Sequence, residues 1–353
     1  MKYVIILPDG AADDPLAELD GRTPLEAANI PNMDWVSLNG RLGRILTVPD
    51  GLTPATDVAT LSLLGYDPVA CYTGRAALEA AAQHLNVAED QIVFRSNFVT
   101  VEDGRMKDFT ADHIDQSEAD RLVADLNKLF KDDPCEFHAG VSYRNLMLLS
   151  GAAEMELICQ PPHDIPDQPV ADFPPKGRGA ERIIDIMNRA AAILVEHPVN
   201  EKRLKAGRPE VTNIWLWGQG KPTVLEPFFE RYGPSGAVIT GVDIMRGLAV
   251  CMGMKLIEVP GATGYLDTNY GGKGQAGVQA LDGYDLVTVH VEAPDEAGHE
   301  GNAAEKVKAL EKIDDLIVGP MLEALREHDE WRILVAPDHP TPCTTKAHSA
   351  VPP

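Results

Sequence analysis

No apolar run in this chain of 353 residues reaches the roughly 20 residues that a membrane-spanning helix needs, so no membrane partner is expected. The opening MKYVIILPDG is apolar but passes straight into Pro-Asp-Gly. It lacks the basic flank and the small-residue cleavage site of a secretory signal, and the expected address is cytoplasmic. Cations are scarce: 31 Lys and Arg stand against 54 Asp and Glu, a formal net charge of −23. That balance argues against nucleic acid as a partner. A small phosphorylated substrate stays compatible with it, provided that Arg, Lys or metal ions are concentrated locally. Cysteines are few, odd in number and widely spaced (Cys71, Cys135, Cys159, Cys251, Cys343), with no CxxC pair. They read as free thiols and exclude a disulfide framework or a zinc knot. There is no GxxxxGK[ST] phosphate loop, and Gly218-Gln219-Gly220 lacks the third glycine and the acidic residue of a dinucleotide fingerprint; it reads as a loop. Low-complexity tracts and internal repeats are absent.

What is present is a set of short β-branched runs. Tyr3–Leu7, Ala237–Thr240, Leu256–Val259, Leu286–Val291 and Ile333–Ala336 read as buried strands. Residues 243–254 between the second and third have helical periodicity, as do 303–328 between the last two, where Pro320 is expected to kink or break the helix. Alternation of this kind predicts an α/β fold: a mostly parallel sheet with helices on both faces. Residues 90–150 read differently, as strand, Glu102-Asp103-Gly104 turn, strand, helix and strand. They predict a smaller α+β unit inserted into the first, with the core over 1–75 and 196–353 and the insert over 76–195.

Three strand runs end alike. Asp9-Gly10 follows the first, Asp295 with His299 follows Leu286–Val291, and Asp338-His339 follows Ile333–Ala336; His348 comes nine residues later. Ligands of parallel sheets sit outside the carboxyl ends of the strands, where residues distant in sequence converge. Three Asp and three His form a mixed oxygen and nitrogen donor set without thiolate, which suits Zn²⁺ or Mn²⁺. Six donors exceed one tetrahedral ion and suit two ions about 4 Å apart, the arrangement that clamps both oxygens of a phosphoryl transfer. Each Asp alone reads more readily as a helix N-cap or turn residue; the repetition argues for one shared site. Thr56 stands at the start of a short helix over 57–64 that Gly65 stops. It reads either as an N-cap or as a nucleophile, since a helix N-terminus favours phosphate and a metal activates a hydroxyl. Thr60 and Ser62, inside the helix, are weaker candidates.

Together these segments resemble the alkaline-phosphatase superfamily, and within it the archaeal-type, cofactor-independent phosphoglycerate mutases and their bacterial relatives. The resemblance is carried by PDG at 8–10, TPATDVATLSLLGYDP at 53–68, TGRAALEA at 73–80, NFVT at 97–100, GVSYRN at 140–145, GATGYLDTN at 261–269, APDEAGH at 293–299, APDH at 336–339 and TKAHS at 345–349. It implies one metal on Asp9, Thr56, Asp338 and His339, and another on Asp295, His299 and His348. The two ions would be Mn²⁺, with Zn²⁺ or Mg²⁺ as alternatives. It also implies an alkaline-phosphatase-like core, an inserted cap domain, and some tens of residues after the TKAHS motif that carry no metal ligand. Thr56 would take the phosphoryl group from one carbon of a phosphoglycerate and return it to the other. Mutases of this type usually carry Ser at that position, which leaves a homoserine kinase-type phosphotransferase and a metal-dependent phosphatase as alternatives, besides a binding module with a vestigial site. Fixed cations for the small phosphorylated hydroxy acid are sought in Arg144, Arg75, Arg246 and Lys273, the last read as lying on a flexible loop after Gly271-Gly272. His163-Asp164, between prolines, is expected to position substrate or act as acid/base, or else to form a turn.

Overall fold

The computed structural model describes residues 1–353. In chain order its strands are β1 (Lys2–Pro8), β2 (Ile92–Glu102), β3 (Arg105–Asp108), β4 (Cys135–Val141), β5 (Arg144–Leu149), β6 (Glu156–Ile158), β7 (Lys176–Arg178), β8 (Asn213–Gly220), β9 (Gly236–Ile239), β10 (Lys255–Leu256), β11 (Leu286–Val291) and β12 (Trp331–Val335). Contacts divide the chain into two units: residues 1–72, 81–83 and 224–353, and residues 73–80 and 84–223.

The first unit is built on a parallel sheet in the order β10-β9-β11-β1-β12. Its central strands are buried on both faces, which is why they read as unbroken apolar runs. Pro8 pairs with Val291 and Ile6 with Val335, so the segments that follow β1, β11 and β12 leave the sheet side by side. The expected strand over 256–259 is reduced to Lys255–Leu256. Ile257 still donates its N–H to Val238 O, but the chain then turns into Pro260, which has no N–H to extend a ladder.

Pro320 does not end its helix. Residues Ala303–Ile313 and Gly319–Leu325 are α-helical, and Asp314–Val318 between them form a π-helical turn. Such a widened turn is how a helix absorbs a residue that cannot make its own hydrogen bond. Two features depend on it. The Asp314 carboxylate accepts from Asn32 N at 3.1 Å, Asn32 Nδ2 at 2.9 Å and Met33 N at 2.7 Å, and so caps the helix Pro31–Asn39, whose N-cap Ile30 offers no side-chain acceptor. The helix Tyr270–Ala280 also approaches so closely that a Cβ on Gly274 would lie 2.0 Å from Leu316 O. Gly274→Ala is therefore expected to destabilise the protein by about 1–3 kcal/mol, read as a lower denaturant midpoint at unchanged slope. Gly271→Ala, with open space around its Cβ, is the control.

The second unit holds an antiparallel sheet in the order β3-β2-β5-β4, with β8 also paired to β2. β2 and β3 are joined at Asp103-Gly104, both with positive φ, the geometry of a tight hairpin turn. Helices Gln116–Leu129 and Ala180–Leu194 lay Leu122, Leu126, Ile183 and Ile186 on one face, against Phe94, Phe98, Met147 and Ile214. The expected boundary at 195/196 is corrected by β8. Its pairing with β2 from Val93 to Val99 carries 196–223 into the inserted unit. Gly218-Gln219-Gly220 is accordingly the end of a strand and not a loop. Gly220 answers a close approach, since a Cβ there would stand 2.9 Å from Gly74 O. No helix in the structure is long and apolar enough to cross a membrane, and all five cysteines are free thiols.

Candidate metal centre

Asp9 follows β1 with its N–H bonded to Val291 O of the neighbouring strand. Gly10, at φ 59°, turns the chain so that its own N–H donates to Asp338 Oδ1 at 3.1 Å. That oxygen also accepts from His339 N at 2.9 Å. Three buried atoms are left without a hydrogen-bond partner: Asp9 Oδ1, Asp338 Oδ2 and His339 Nε2. His339 Nε2 lies 3.6 Å from Asp9 Oδ1 and 3.4 Å from Asp338 Oδ2. Donor atoms each about 2.1 Å from a tetrahedral ion stand about 3.4 Å apart, so the three orphaned atoms fit one ion. Burial, reinforced by the carboxylates of Asp338, Glu292 and Asp295, pushes the Asp9 carboxyl well above its ordinary range. Acidic groups in that position call for a cation among them.

The second group stands on a helix and a loop. Pro294 sits in the first turn of the helix Ala293–Glu300, which follows β11 directly and puts Asp295 and His299 four residues apart on one face. His299 Nε2 lies 3.2 Å from Asp295 Oδ2, and His348 Nε2 lies 3.4 Å from Asp295 Oδ1. Both imidazoles use Nδ1 on a carbonyl: His299 on Lys346 O and His348 on Pro54 O, each at 3.0 Å. Nδ1 therefore carries a proton in both rings, and the two Nε2 atoms, 2.9 Å apart, are left for an ion or, without one, for a shared proton. Carbonyl-anchored histidines presenting Nε2 are the usual support of a metal ligand. All six expected donors thus stand in the first unit, as two groups of three.

With only protons to compensate, the second group shares them. The hydrogen bond to Asp295 raises the His299 imidazole to about 9. Burial opposes the charge on His348, but the Asp295 carboxylate outweighs it and raises that pKa too. Burial likewise opposes the charge on Asp295, yet both histidines hold its carboxyl far below the usual range. In the metal-free protein the charged His299 is thus a stabilising contribution, complete below about pH 6.5 and lost as pH rises through about 9. A ligand must shed its proton to bind, so ion binding near pH 7.5 is expected to release about one proton or more. Calorimetric titration in buffers of different ionisation enthalpy measures it. Release should vanish, and affinity rise, above pH 9; heats that do not depend on the buffer would contradict protonated ligands.

Thr56 is the first residue of the helix Thr56–Leu63, and the N-cap is Ala55, so the capping role does not apply to it. Its hydroxyl donates to Asp9 Oδ2 at 3.1 Å. Thr60 faces inward and donates to Met245 Sδ, which removes it as a nucleophile.

Two residues of this cluster were not singled out in the sequence. His290, in the middle of β11, lies 2.7 Å from Asp9 Oδ2 through Nε2. Glu292, just beyond that strand, lies 3.4 Å from the same nitrogen. Burial pushes His290 down to about 3 and Glu292 up to about 7. Lys273 is not on a flexible loop. Asn269 caps a helix through Gly271-Gly272, and the fully buried Lys273 side chain donates to His290 O at 3.1 Å, with burial lowering its pKa to about 8. Arg246, expected to hold substrate, makes a two-armed ion pair with Glu258.

The remaining expected residues lie in the second unit. Arg75 opens the helix Arg75–Ala82 and pairs with Glu79 at 3.3 Å. Arg144 opens β5 with its guanidinium 5.8 Å from the Tyr143 ring. His163 and Asp164 form a single 3₁₀ turn in which His163 meets the Trp217 ring edge-on. Near Arg75, Arg144 and His163 is Arg95, unforeseen. It is buried in β2, 4.4 Å over Trp217 and 3.1 Å from Glu79. Burial lowers its pKa to about 10, and the charges of Arg75 and Arg144 push the same way.

A parallel sheet with carboxylates and imidazoles gathered beyond its carboxyl ends, interrupted by an α+β insert, defines the class: a metal-site α/β enzyme fold. A family model described as 2,3-bisphosphoglycerate-independent phosphoglycerate mutase matches residues 38–200. A mutase of that name from Methanothrix thermoacetophila is 48% identical over 353 residues, covering 100% of this chain and 89% of that protein. A probable one from Geobacter sulfurreducens is 45% identical over 357 residues, with the same coverage. A solved structure of a Pyrococcus horikoshii protein superposes with a TM-score of 0.82 at 30% identity, covering 99% of this chain and 85% of that one. The cofactor-independent phosphoglycerate mutase from Thermoplasma acidophilum gives a TM-score of 0.63 at 28% identity, covering 96% and 87%. The chain belongs to the family of 2,3-bisphosphoglycerate-independent phosphoglycerate mutases.

Proposed function

We propose that this protein interconverts 3-phosphoglycerate and 2-phosphoglycerate without added bisphosphoglycerate, through phospho-Thr56 and two divalent ions, with Mn²⁺ the first choice. The observation that carries this reading is the placement of the Thr56 hydroxyl on Asp9 Oδ2, while Asp9 Oδ1 stays unpaired beside Asp338 Oδ2 and His339 Nε2. Asp9, Asp338 and His339, with Thr56, would hold one ion, and Asp295, His299 and His348 the other. Bound there, the ions would neutralise charge on the phosphoryl oxygens and ease loss of the Thr56 proton.

The Thr56 hydroxyl points its proton at Asp9, which leaves an oxygen lone pair for phosphorus. The bond from phosphorus to the substrate's C3 oxygen breaks as the bond to Thr56 Oγ1 forms, and the C3 oxygen takes a proton. The C2 hydroxyl then attacks phospho-Thr56, loses its proton, and Thr56 regains one. Nothing is oxidised or consumed. Arg75, Arg95 and Arg144 of the inserted unit, with His163 and Asp164, are cations and polar groups of the kind that a phosphorylated hydroxy acid calls for.

Phosphorus NMR of the Mn²⁺-loaded protein with 3-phosphoglycerate tests this. The 2-phosphoglycerate signal should grow to equilibrium without bisphosphoglycerate. Release of inorganic phosphate alone would replace the mutase with a phosphatase. Phosphorylation of homoserine from a nucleotide, with phosphoglycerate untouched, would replace it with a kinase-type phosphotransferase. The names of the relatives favour the mutase over that alternative.

A further inference from the structure

We propose that His290 is a positioning residue that donates its Nε2 proton to Asp9 and so decides which oxygen of Asp9 is left for an ion. The proposal rests on the metal-centre reading given above.

The hydrogen-bond chain can be followed atom by atom. An Asp9 that holds an ion is ionised and only accepts, so the 2.7 Å contact between His290 Nε2 and Asp9 Oδ2 then places the proton on Nε2. A neutral imidazole then presents Nδ1 as an acceptor. Thr240 Oγ1 lies 3.0 Å from it and already accepts from Val242 N at 3.1 Å. The Thr240 hydroxyl therefore directs its one proton at Nδ1. The backbone of His290 is held as well, since its carbonyl accepts from the buried Lys273 ammonium. His290, Thr240 and Asp9 are all essentially inaccessible to water, so no solvent molecule competes for these bonds.

The consequence falls on Asp9. Oδ2 is occupied by two donors, His290 Nε2 and the Thr56 hydroxyl. Oδ1 is the oxygen without a partner, and it faces His339 Nε2. An unrestrained carboxylate could rotate and offer either oxygen or both. The relay Thr240–His290–Asp9 removes that freedom and keeps one oxygen for the ion and the other for the nucleophile's proton. Outer partners that orient a ligand in this way usually govern about 10–100-fold in metal affinity.

Asp9 and His290, together with Glu292, are also close enough to hold an ion themselves. In that arrangement Nε2 would carry no proton, and the two readings separate on that point.

Nitrogen-15 NMR of the wild-type protein loaded with diamagnetic Zn²⁺, with labelled histidine, reads the tautomer. The proton is expected on Nε2 of His290; a proton on Nδ1 overturns the relay. Paramagnetic resonance of free Mn²⁺ then counts and ranks bound ions. The wild type should bind two. His290→Leu should weaken one of them about 10–100-fold and leave the other unchanged, and His290→Gln, whose amide restores a donor, should recover most of the loss. Equal binding by His290→Leu and wild type overturns the proposal. So does a third ion in the wild type that disappears in His290→Leu, which would make His290 a ligand. If the wild type binds neither Mn²⁺ nor Zn²⁺, the metal-centre reading fails, whereas an ion-loaded wild type with the proton on Nδ1 fails the relay alone.

Discussion

Thr56→Ala is expected to lower mutase activity by about 10⁴-fold or more, the scale on which removal of a nucleophile acts in enzymes with covalent intermediates. The fold should be indifferent to the change. Thr56 is not the N-cap of its helix, and its one side-chain hydrogen bond goes to Asp9. An N-cap threonine replaced by alanine would cost about 1 kcal/mol; here the thermal midpoint should stay within a few degrees. Thr56→Ser keeps the hydroxyl and should retain activity to within about tenfold. Phosphate label from substrate should appear on the wild type and on Thr56→Ser and be absent from Thr56→Ala. Label that persists in Thr56→Ala would move the nucleophile elsewhere. Loss of activity accompanied by a large fall in stability would return Thr56 to a structural role.

The sequence was most informative where a residue stood just outside a regular element. Asp9 and Asp338 follow apolar strands directly, and Asp295 and His299 share a helix face just beyond β11, so strand periodicity alone pointed to their convergence. The residues that escaped notice lie inside such elements. His290 occupies the fifth position of the buried run LVTVHV, and Arg95 the fourth of IVFRSNFVTVE. In both cases a titratable group interrupts a strand buried on both faces, and burial of that kind demands a partner. That demand was the available signal. Lys273 was misplaced for a different reason. Gly271, Gly272, Gly274 and Gly277 suggest a loop, yet at Gly274 and Gly277 glycine makes room for Leu316 and Met321 on the adjoining helix. Arg246 illustrates a limit of composition: its partner Glu258 lies twelve residues away across a turn, and only the fold makes them neighbours. The domain boundary failed because β8 belongs to the sheet of β2, more than a hundred residues earlier, and such pairing leaves no local mark.

Gly10→Ala is expected to disable both candidate ion sites with one methyl group. The backbone at Gly10 has φ 59°, which L side chains rarely adopt. Its ideal Cβ would lie 2.5 Å from Asp295 Oδ1 and 2.7 Å from Thr341 Oγ1. Asp295 belongs to the second group of donors, while the Gly10 N–H holds Asp338 of the first. Any shift that relieves the clash moves a donor in one group or breaks a hydrogen bond in the other. Activity should fall by about 10²-fold or more, since misplacements near 1 Å already have that effect, and bound metal should drop below two ions per chain. Backbone strain alone cannot produce this result, and Gly21→Ala shows why. Gly21 has φ 76° but nothing within 4 Å of its Cβ. Its replacement should cost only the strain of the left-handed conformation, about 1 kcal/mol, with full metal content. If the two variants bound metal equally, the close approach of Gly10 to Asp295 would have no part in shaping the site.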